Sequence, residues 1–183
     1  MSNEAIAIVA LEGEPAQMQD LQSVIEEAPT FMQRVTGVPP GRSDAQSTYT
    51  ILPEGKTYED KFVFGIYRGT LMVGCADLIR GYPDPKTAQF GLFIVSEKCR
   101  RQGIGSRAYV LLEQAIRGWG TCDRIRIGVV RVNDEVVPFW TRLGFTPTGE
   151  VKPYRYGAVV SETALLEKLL PHDTLEPPRA KKP

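Results

Sequence analysis

Apolar and polar residues recur along the chain in two spacings, which predict strands and helices. Dense or alternating runs of apolar and β-branched residues are typical of strands. Such runs occur at residues 4–11, 61–67, 70–79, 87–95 and 124–132. A further strand is predicted from Phe145. Residues 163–170 (TALLEKLL) have a spacing that also suits a helix, but their position after two strands favours a last strand.

Apolar residues three and four positions apart predict helices with one buried face. In residues 17–27 this stripe consists of Met18, Leu21, Val24 and Ile25. Pro29 is expected to stop that helix. Two more helices are predicted, one over residues 106–117 and a short one that ends at Leu143. Residues 36–55 carry several prolines and glycines without a sustained period, so they are predicted to be mostly loop.

In chain order, these elements predict a mixed central β-sheet with helices on both faces, which is an α/β (α+β) fold. A chain of 183 residues is long enough to bury a core of its own, and we expect a single domain over residues 1–170. Residues 171–183 (PHDTLEPPRAKKP) are rich in proline and charge and hold few apolar anchors. They predict a flexible C-terminal tail.

The loop at residues 100–106 (RRQGIGS) joins a predicted strand to a predicted helix. Gly103 and Gly105 permit a tight turn and a close approach of a ligand. The first amides of the helix are unpaired donors at the positive end of the helix dipole, and Arg100 and Arg101 add two charges. These features suit a pyrophosphate, although the loop alone leaves open an ordinary helix N-terminus.

Two common nucleotide motifs are absent. A P-loop needs GxxxxGK followed by Ser or Thr, and a dinucleotide fold needs GxGxxG. The spacing Arg100-x-x-Gly103-x-Gly105 instead resembles the acetyl-CoA pyrophosphate loop of the GCN5-related N-acetyltransferase (GNAT) superfamily. Residues 133–145 (NDEVVPFWTRLGF) resemble a later motif of the same superfamily, with an Asn, an aromatic pair and Gly-Phe in the same order.

The resemblance implies acetyl-CoA as co-substrate. Backbone groups of Phe93 and Val95 would pair with the pantetheine arm like a missing strand, and one amide would polarise the thioester oxygen. Asn133 would orient a pantetheine amide or a water, and Trp140 would pack beside the thioester. The pyrophosphate would be held by Arg100 or Arg101 and by the amides of Gln102, Gly103, Ile104, Gly105 and Ser106.

Two positions depart from the family where proton carriers are common. Gln89 stands where many members carry a Glu base, and Trp140 stands where many carry a Tyr acid. Asp77 is a candidate base, directly or through water, although a salt bridge with Arg80 is the simpler role for it. Relayed or bulk water is the other acceptor of the proton.

Three tyrosines, Tyr82, Tyr154 and Tyr156, are candidate acids for the departing thiolate, and the last two are the preferred ones. The sequence leaves open which residue, if any, has that role. Each is individually more typical of a structural side chain.

Composition and charge argue against two classes of binding partner, nucleic acids and membranes. Lys plus Arg and Asp plus Glu are both 22, which argues against a nucleic acid held by bulk electrostatics. No apolar run approaches the roughly 20 residues of a membrane span, and the N-terminus lacks the pattern of a signal peptide. We therefore expect no membrane partner and a cytoplasmic location.

The cysteines and the histidine suggest no metal or nucleophile site. Cys75, Cys99 and Cys122 fit neither a disulfide framework nor a zinc site, and His172 lies in the predicted tail. Cys75 is expected in the core, while Cys99 beside two arginines is a candidate reactive thiol. A Ser-His or Cys-His nucleophile is not expected.

The expected function is an N-acetyltransferase that moves the acetyl group of acetyl-CoA directly to a primary amine of a small molecule or peptide. The alternative is a noncatalytic acyl-CoA-binding or sensing protein of the same fold, which Gln89 and Trp140 permit. Homodimers are common in the superfamily, so the resemblance implies that this protein could also form one.

Overall fold

Seven strands form one mixed sheet in the computed structural model, which describes residues 4–171. The strands are β1 (Ile6–Ala10), β2 (Lys61–Arg68), β3 (Leu71–Arg80), β4 (Thr87–Val95), β5 (Arg124–Val130), β6 (Thr146–Tyr156) and β7 (Val159–Leu169). Their order across the sheet is β1-β2-β3-β4-β5-β7-β6. Strands β4 and β5 are parallel, and the other neighbouring strands of the described chain are antiparallel.

Five helices accompany the sheet in the described part of the chain. They are α1 (Pro15–Glu26), α2 (Pro29–Thr36), α3 (Asp44–Thr50), α4 (Ile104–Gly118) and α5 (Val137–Arg142). Short 3-10 turns lie at Tyr58–Asp60, Glu97–Cys99 and Arg131–Val136.

The alternation of side chains along the central strands divides the core between two faces. On one face, Val63 and Cys75 pack with Leu21, Val24 and Ile25 of α1. On the other face, residues of the same strands pack against α4. This second cluster includes Phe64, Ala76, Leu78, Phe90, Tyr109, Leu112 and Ile116. The predicted mixed sheet with helices on both faces is confirmed.

The connection between the first two helices differs from the prediction. Helix α1 ends at Glu26, before Pro29, as predicted, and Glu27 and Ala28 make the turn that follows. The difference is that Pro29 begins a further helix, α2, at a position where its missing N–H is not needed.

The prediction of loop over residues 36–55 is partly wrong, because α3 lies within it. The sequence DAQSTYT has no apolar period. One contact with another segment and one local contact support α3: the Ala45 amide donates to Gln22 Oε1 at 3.0 Å, and the Gly41 amide donates to Asp44 Oδ2 at 2.7 Å.

At the end of the chain, the two interpretations of residues 163–170 are resolved. All but Leu170 belong to β7, which pairs with β5 from Thr163 to Leu169 and with β6 from Val159 to Glu167. The predicted flexible tail lies, apart from Pro171, outside the described residues, as does His172.

Candidate active site

The parallel pair at the centre of the sheet separates halfway along its length. Thr87–Phe90 of β4 pair with Arg124–Ile127 of β5, and beyond that point no pairing joins the two strands in residues 4–171. β5 continues alongside β7, and β4 continues alongside β3. Leu92 to Val95 therefore have an edge without a strand beside it, which leaves backbone donors and acceptors for a ligand.

A β-bulge marks the place where the strands part. Asp77 of β3 is opposite Leu92, whereas the next residue, Leu78, is opposite Phe90, so Gly91 is the extra residue of β4. The carboxylate of Asp77 lies directly against it: a Cβ on Gly91 would be 2.6 Å from Asp77 Oδ2. A glycine is needed here because a side chain would displace that carboxylate.

The loop above the gap has the geometry of an anion site. Arg101 and Gly103 have positive φ angles of 61° and 71°, and such residues turn neighbouring backbone N–H groups toward one side. Gly103 is the N-cap of α4, and the Arg107 amide donates to its carbonyl at 3.2 Å. The amides of the first turn thus head a 15-residue helix, where an anion is favoured. A Cβ at Gly103 would have nothing within 4 Å, so the space above it is open.

The loop is braced by its neighbours. Arg68, at the end of β2, donates to Gln102 Oε1 at 2.9 Å and lies 3.8 Å from the sulfur of Cys99. Arg100 pairs with Glu97 at 3.6 Å and keeps part of its side chain in solvent. Cys99 is buried, which argues against the reactive thiol that its two neighbouring arginines suggested.

An aromatic wall borders the gap on the α4 face. The ring of Phe93 stacks on Phe139 at 6.1 Å between centroids and lies 5.5 Å from Trp140. A Cβ on Gly105 would be 3.4 Å from Phe139, so the start of α4 contacts this wall. Trp140 is buried, and its ring also packs on Tyr109 and Phe145.

Asn133 lies on the other side of the gap, in the turn that follows β5. It is buried, and its backbone (φ −125°, ψ 27°) interrupts the 3-10 turn. Glu135 of the same turn pairs with Arg34 of α2. The structure therefore brings Phe93, Val95, residues 100–106, Asn133 and Trp140 around one gap, as their proposed common role requires.

Asp77 faces the α1 side of the sheet and does not pair with Arg80. Its Oδ1 accepts a hydrogen bond from Lys61 Nζ at 2.8 Å, and Arg80 pairs instead with Asp60 at 3.4 Å. Burial raises the pKa of the Asp77 carboxyl above its ordinary value, and the Lys61 ammonium opposes that increase. The salt bridge expected with Arg80 is thus replaced by one with Lys61.

The candidate acids lie apart from Asp77, on the edge strand β6. The Tyr154 hydroxyl donates to the Val35 carbonyl of α2 at 2.6 Å, and burial together with Tyr156 raises the pKa of Tyr154. Tyr156 is 55% exposed. Gln89 donates from Nε2 to the Phe90 carbonyl at 2.8 Å.

Two residues of this arrangement are missed by reading the sequence. An isolated glycine in a strand pattern is a known sign of a bulge, so Gly91 gave a usable signal. Lys61 gave none, because its partner is set by the register of β2 and β3.

Within residues 4–171, no helix is long and apolar enough to cross a bilayer, and no group of three His, Cys, Asp or Glu side chains is suited to a metal ion. The three cysteines are buried and not joined in disulfides. Burial raises the pKa of the Cys75 thiol to about 12, as expected of a core residue.

Comparison with known proteins decides the family. Residues 25–145 match the sequence profile described as Acetyltransferase (GNAT) family. The chain belongs to the GNAT acetyltransferase family. GNAT enzymes use acetyl-CoA, and the matched range includes the gap, the loop and the Asn133 turn. No curated protein matches the sequence significantly.

Solved structures resemble this GNAT enzyme over nearly its whole length. An acetyltransferase from Thermus thermophilus is 19% identical with a TM-score of 0.68, covering 93% of this chain and 100% of that one. A Salmonella typhimurium acetyltransferase, which modifies the N-terminal serine of ribosomal protein L7/L12, is 15% identical with a TM-score of 0.72, covering 93% and 97%. A GNAT acetyltransferase from Elizabethkingia anophelis with acetyl-CoA bound is 14% identical with a TM-score of 0.61, covering 92% and 100%. At these identities the likeness shows the fold.

Proposed function

We propose that this GNAT enzyme transfers the acetyl group of acetyl-CoA directly to a primary amine of a small molecule or peptide. The observation that carries the proposal is that three features border the place where β4 and β5 part. They are the unpaired edge of β4, the loop at residues 100–106 with its positive φ angles, and the buried carboxylate of Asp77.

The residues around the gap suit acetyl-CoA. The amides at the start of α4 and the charges of Arg100 and Arg101 suit a pyrophosphate. The free backbone of Phe93 and Val95 suits the amides of pantetheine, and the ring of Trp140 closes the gap as an apolar wall. Asn133 provides a buried side-chain amide on the opposite side. When bound, acetyl-CoA supplies the activated acetyl group as a thioester.

The protein's own part is alignment and proton transfer. An amine acts as a nucleophile only after it has lost its extra proton. Asp77 Oδ2 lies against the bulge at Gly91, on the α1 face of the sheet. We assign Asp77 the role of general base. Tyr154 and Tyr156 remain the candidate acids, and the hydroxyl of Tyr154 would have to leave Val35 for that role.

The Salmonella relative modifies the N-terminal serine of ribosomal protein L7/L12, as its description states. This supports an amine acceptor in general for the present enzyme. The choice between a small molecule and a peptide is left to the acceptor panel below. The homodimer remains a prediction.

A noncatalytic acyl-CoA binder is the second candidate, and one observation favours it. The two positions where many relatives carry a base and an acid hold a Gln bonded to backbone and a Trp packed in the core. Neither side chain transfers a proton at neutral pH.

A turnover assay separates the two candidates. Purified protein is mixed with acetyl-CoA and a panel of amino acids, small amines and peptides, and the released thiol is measured. If the protein is an enzyme, we expect turnover with at least one class and a loss of about 10²- to 10⁴-fold in kcat for Asp77→Asn, the usual contribution of a general base. Asp60→Asn is the matched control, since Asp60 also pairs with a lysine, Lys56, but lies outside β3 and β4, the two strands that form the bulge. Binding of acetyl-CoA without thiol release across the panel would favour the noncatalytic binder.

A further inference from the structure

Lys61 and Asp77 form a buried ion pair on the α1 face of the sheet. Their side chains are 3% and 14% exposed, and the Nζ to Oδ1 distance is 2.8 Å. Val63 is directly opposite Asp77 in the register, so Lys61, two residues earlier on β2, reaches the carboxylate diagonally on the same face. The ammonium is thus sealed inside the protein with Asp77 as its ion-pair partner.

The two oxygens of Asp77 have different surroundings. Oδ1 is held by Lys61, whereas Oδ2 lies against Gly91 at the bulge. One oxygen is therefore fixed by a charge, and the other points to the place where β4 leaves β5.

The other groups near Asp77 are not charged partners. Cys75, two residues away on the same strand, is a neutral thiol at pH 7 because its pKa is about 12. Gln89 of β4 is a neutral amide bonded to backbone. The residues with which α1 covers this face are Leu21, Val24 and Ile25. Arg80, on the same strand, is paired with Asp60.

A buried ion pair of this kind is not explained by stability alone. Removing two charges from water has a large free-energy cost, and an apolar pair of similar volume often serves the fold as well or better. A carboxylate next to an ammonium is instead what a buried general base requires. Burial alone would favour the neutral acid, and an adjacent ammonium favours the carboxylate.

We propose that Lys61 is a positioning residue that keeps Asp77 ionised and directs its free oxygen to the acceptor amine. This inference rests on the proposed function. In the step it serves, an N–H bond of the acceptor ammonium breaks, an O–H bond forms at Asp77 Oδ2, and the amine nitrogen keeps the electron pair. The proton later returns to solvent, and no other reactant is needed.

The first test uses the protein without any substrate. The carboxyl carbon of Asp77 is followed by NMR in ¹³C-labelled protein during a pH titration, with Asp77→Asn to assign the signal. In Lys61→Met we expect the midpoint to move upward by about 1 to 3 pH units, which is the usual effect of one close opposite charge. Lys61→Arg keeps the charge and should stay near the wild type. An unchanged midpoint in Lys61→Met would overturn the proposal.

The second test uses the amine found in the panel. The acidic limb of kcat/KM against pH should move upward in Lys61→Met by the same interval as the NMR midpoint, and the rate should recover at high pH. Acetyl-CoA affinity should not change. A uniform loss at every pH would mean that Lys61 supports only the fold, and it would overturn the proposal.

Two controls keep the tests decisive. If Lys61→Met does not fold, Lys61→Gln removes the charge while retaining a donor, and it takes the place of Lys61→Met. If the wild type itself releases no thiol with any amine, the proposed function fails. If the wild type is active and the acidic limb of the variant stays in place, only the role of Lys61 fails.

Discussion

At the scale of single residues, the proposed chemistry depends on close contacts that a single substitution would disturb. Asp77, Lys61 and Gly91 come from three neighbouring strands and meet at one point. Each has a different part in the proposed mechanism: the carboxylate would accept the proton, the ammonium would favour its charged form, and the glycine leaves it space.

Gly91→Ala tests the need for that space. A methyl group 2.6 Å from Oδ2 cannot be accommodated, so the Asp77 carboxylate must turn away from the gap. We expect kcat to fall by about 10- to 100-fold, because a shift near 1 Å in a reacting group has effects of this size. Acetyl-CoA affinity, measured by calorimetry, should remain close to that of the wild type.

Gly118→Ala is the matched control, since a Cβ there would have nothing within 4 Å. It should leave kcat unchanged. Full activity in Gly91→Ala would show that the carboxylate has no role in turnover.

Tyr154→Phe and Tyr156→Phe test the candidate acids. If one of them protonates the leaving thiolate, its loss should reduce kcat more than it reduces acetyl-CoA affinity. Tyr154→Phe also removes the hydrogen bond to Val35, so we expect about 1 kcal/mol less stability in chemical denaturation. Turnover at the wild-type level in both variants would remove both tyrosines as acids.

At the scale of elements, hydrogen bonds join the end of α1 to the segment that leads to the loop at residues 100–106. Glu27 accepts hydrogen bonds from Ser96 Oγ at 2.6 Å and from Lys98, and the Glu97 amide donates to its carbonyl at 2.9 Å. The Thr30 amide of α2 donates to Glu97 Oε1 at 2.9 Å. Helices on the α1 face thereby fix the chain just before Arg100.

The pH dependence of stability tests the contribution of the Glu27 carboxylate to these contacts. Hydrogen bonds from Lys98 and Ser96 hold the pKa of the Glu27 carboxyl below its ordinary value of 4.5. Its stabilisation is therefore present above pH 4.5 and is lost as the pH falls through the lower pKa of the folded state. Glu27→Gln should be less stable than the wild type by about 1 kcal/mol at pH 7.

Urea denaturation of both proteins between about pH 3 and pH 7 measures the difference. It should shrink toward zero at the acidic end, where the wild-type carboxyl is also neutral. A difference that stays constant over this range would contradict the tie through the charged carboxylate.

The predictability of the fold also differs between elements. Strands β1 to β5, α1 and α4 have clear periods, and the sequence predicts them to within a few residues, whereas the spacing in β7 also suited a helix. Helix α3 has no period and is supported by Gln22 and by the Asp44 side chain within its own turn, so a local pattern does not reveal it. The loop at residues 100–106 could be predicted because its chemistry is local, whereas the partner of Asp77 could not, because it depends on strand register.

At the scale of the whole molecule, the sheet separates the proposed cofactor-binding side from the side that holds the proposed base. The start of α4, Phe93 and Trp140 belong to the α4 face, and Asp77 belongs to the α1 face. The gap between β4 and β5 joins the two. In the proposed reaction the acetyl group and the amine therefore meet through the sheet, and the reaction requires the gap to hold acetyl-CoA.

The most direct test of this central claim is a calorimetric titration with acetyl-CoA of the wild type, Gly103→Trp and Gly120→Trp. Both glycines have positive φ angles, 71° and 66°, and a Cβ at either would have nothing within 4 Å, so the variants are matched in backbone strain and in space. Gly103 lies at the start of α4, and Gly120 lies beyond its end. We predict one-to-one binding by the wild type and by Gly120→Trp, with no detectable binding by Gly103→Trp. Normal binding of acetyl-CoA by Gly103→Trp would contradict the placement of the site and the proposed function that depends on it.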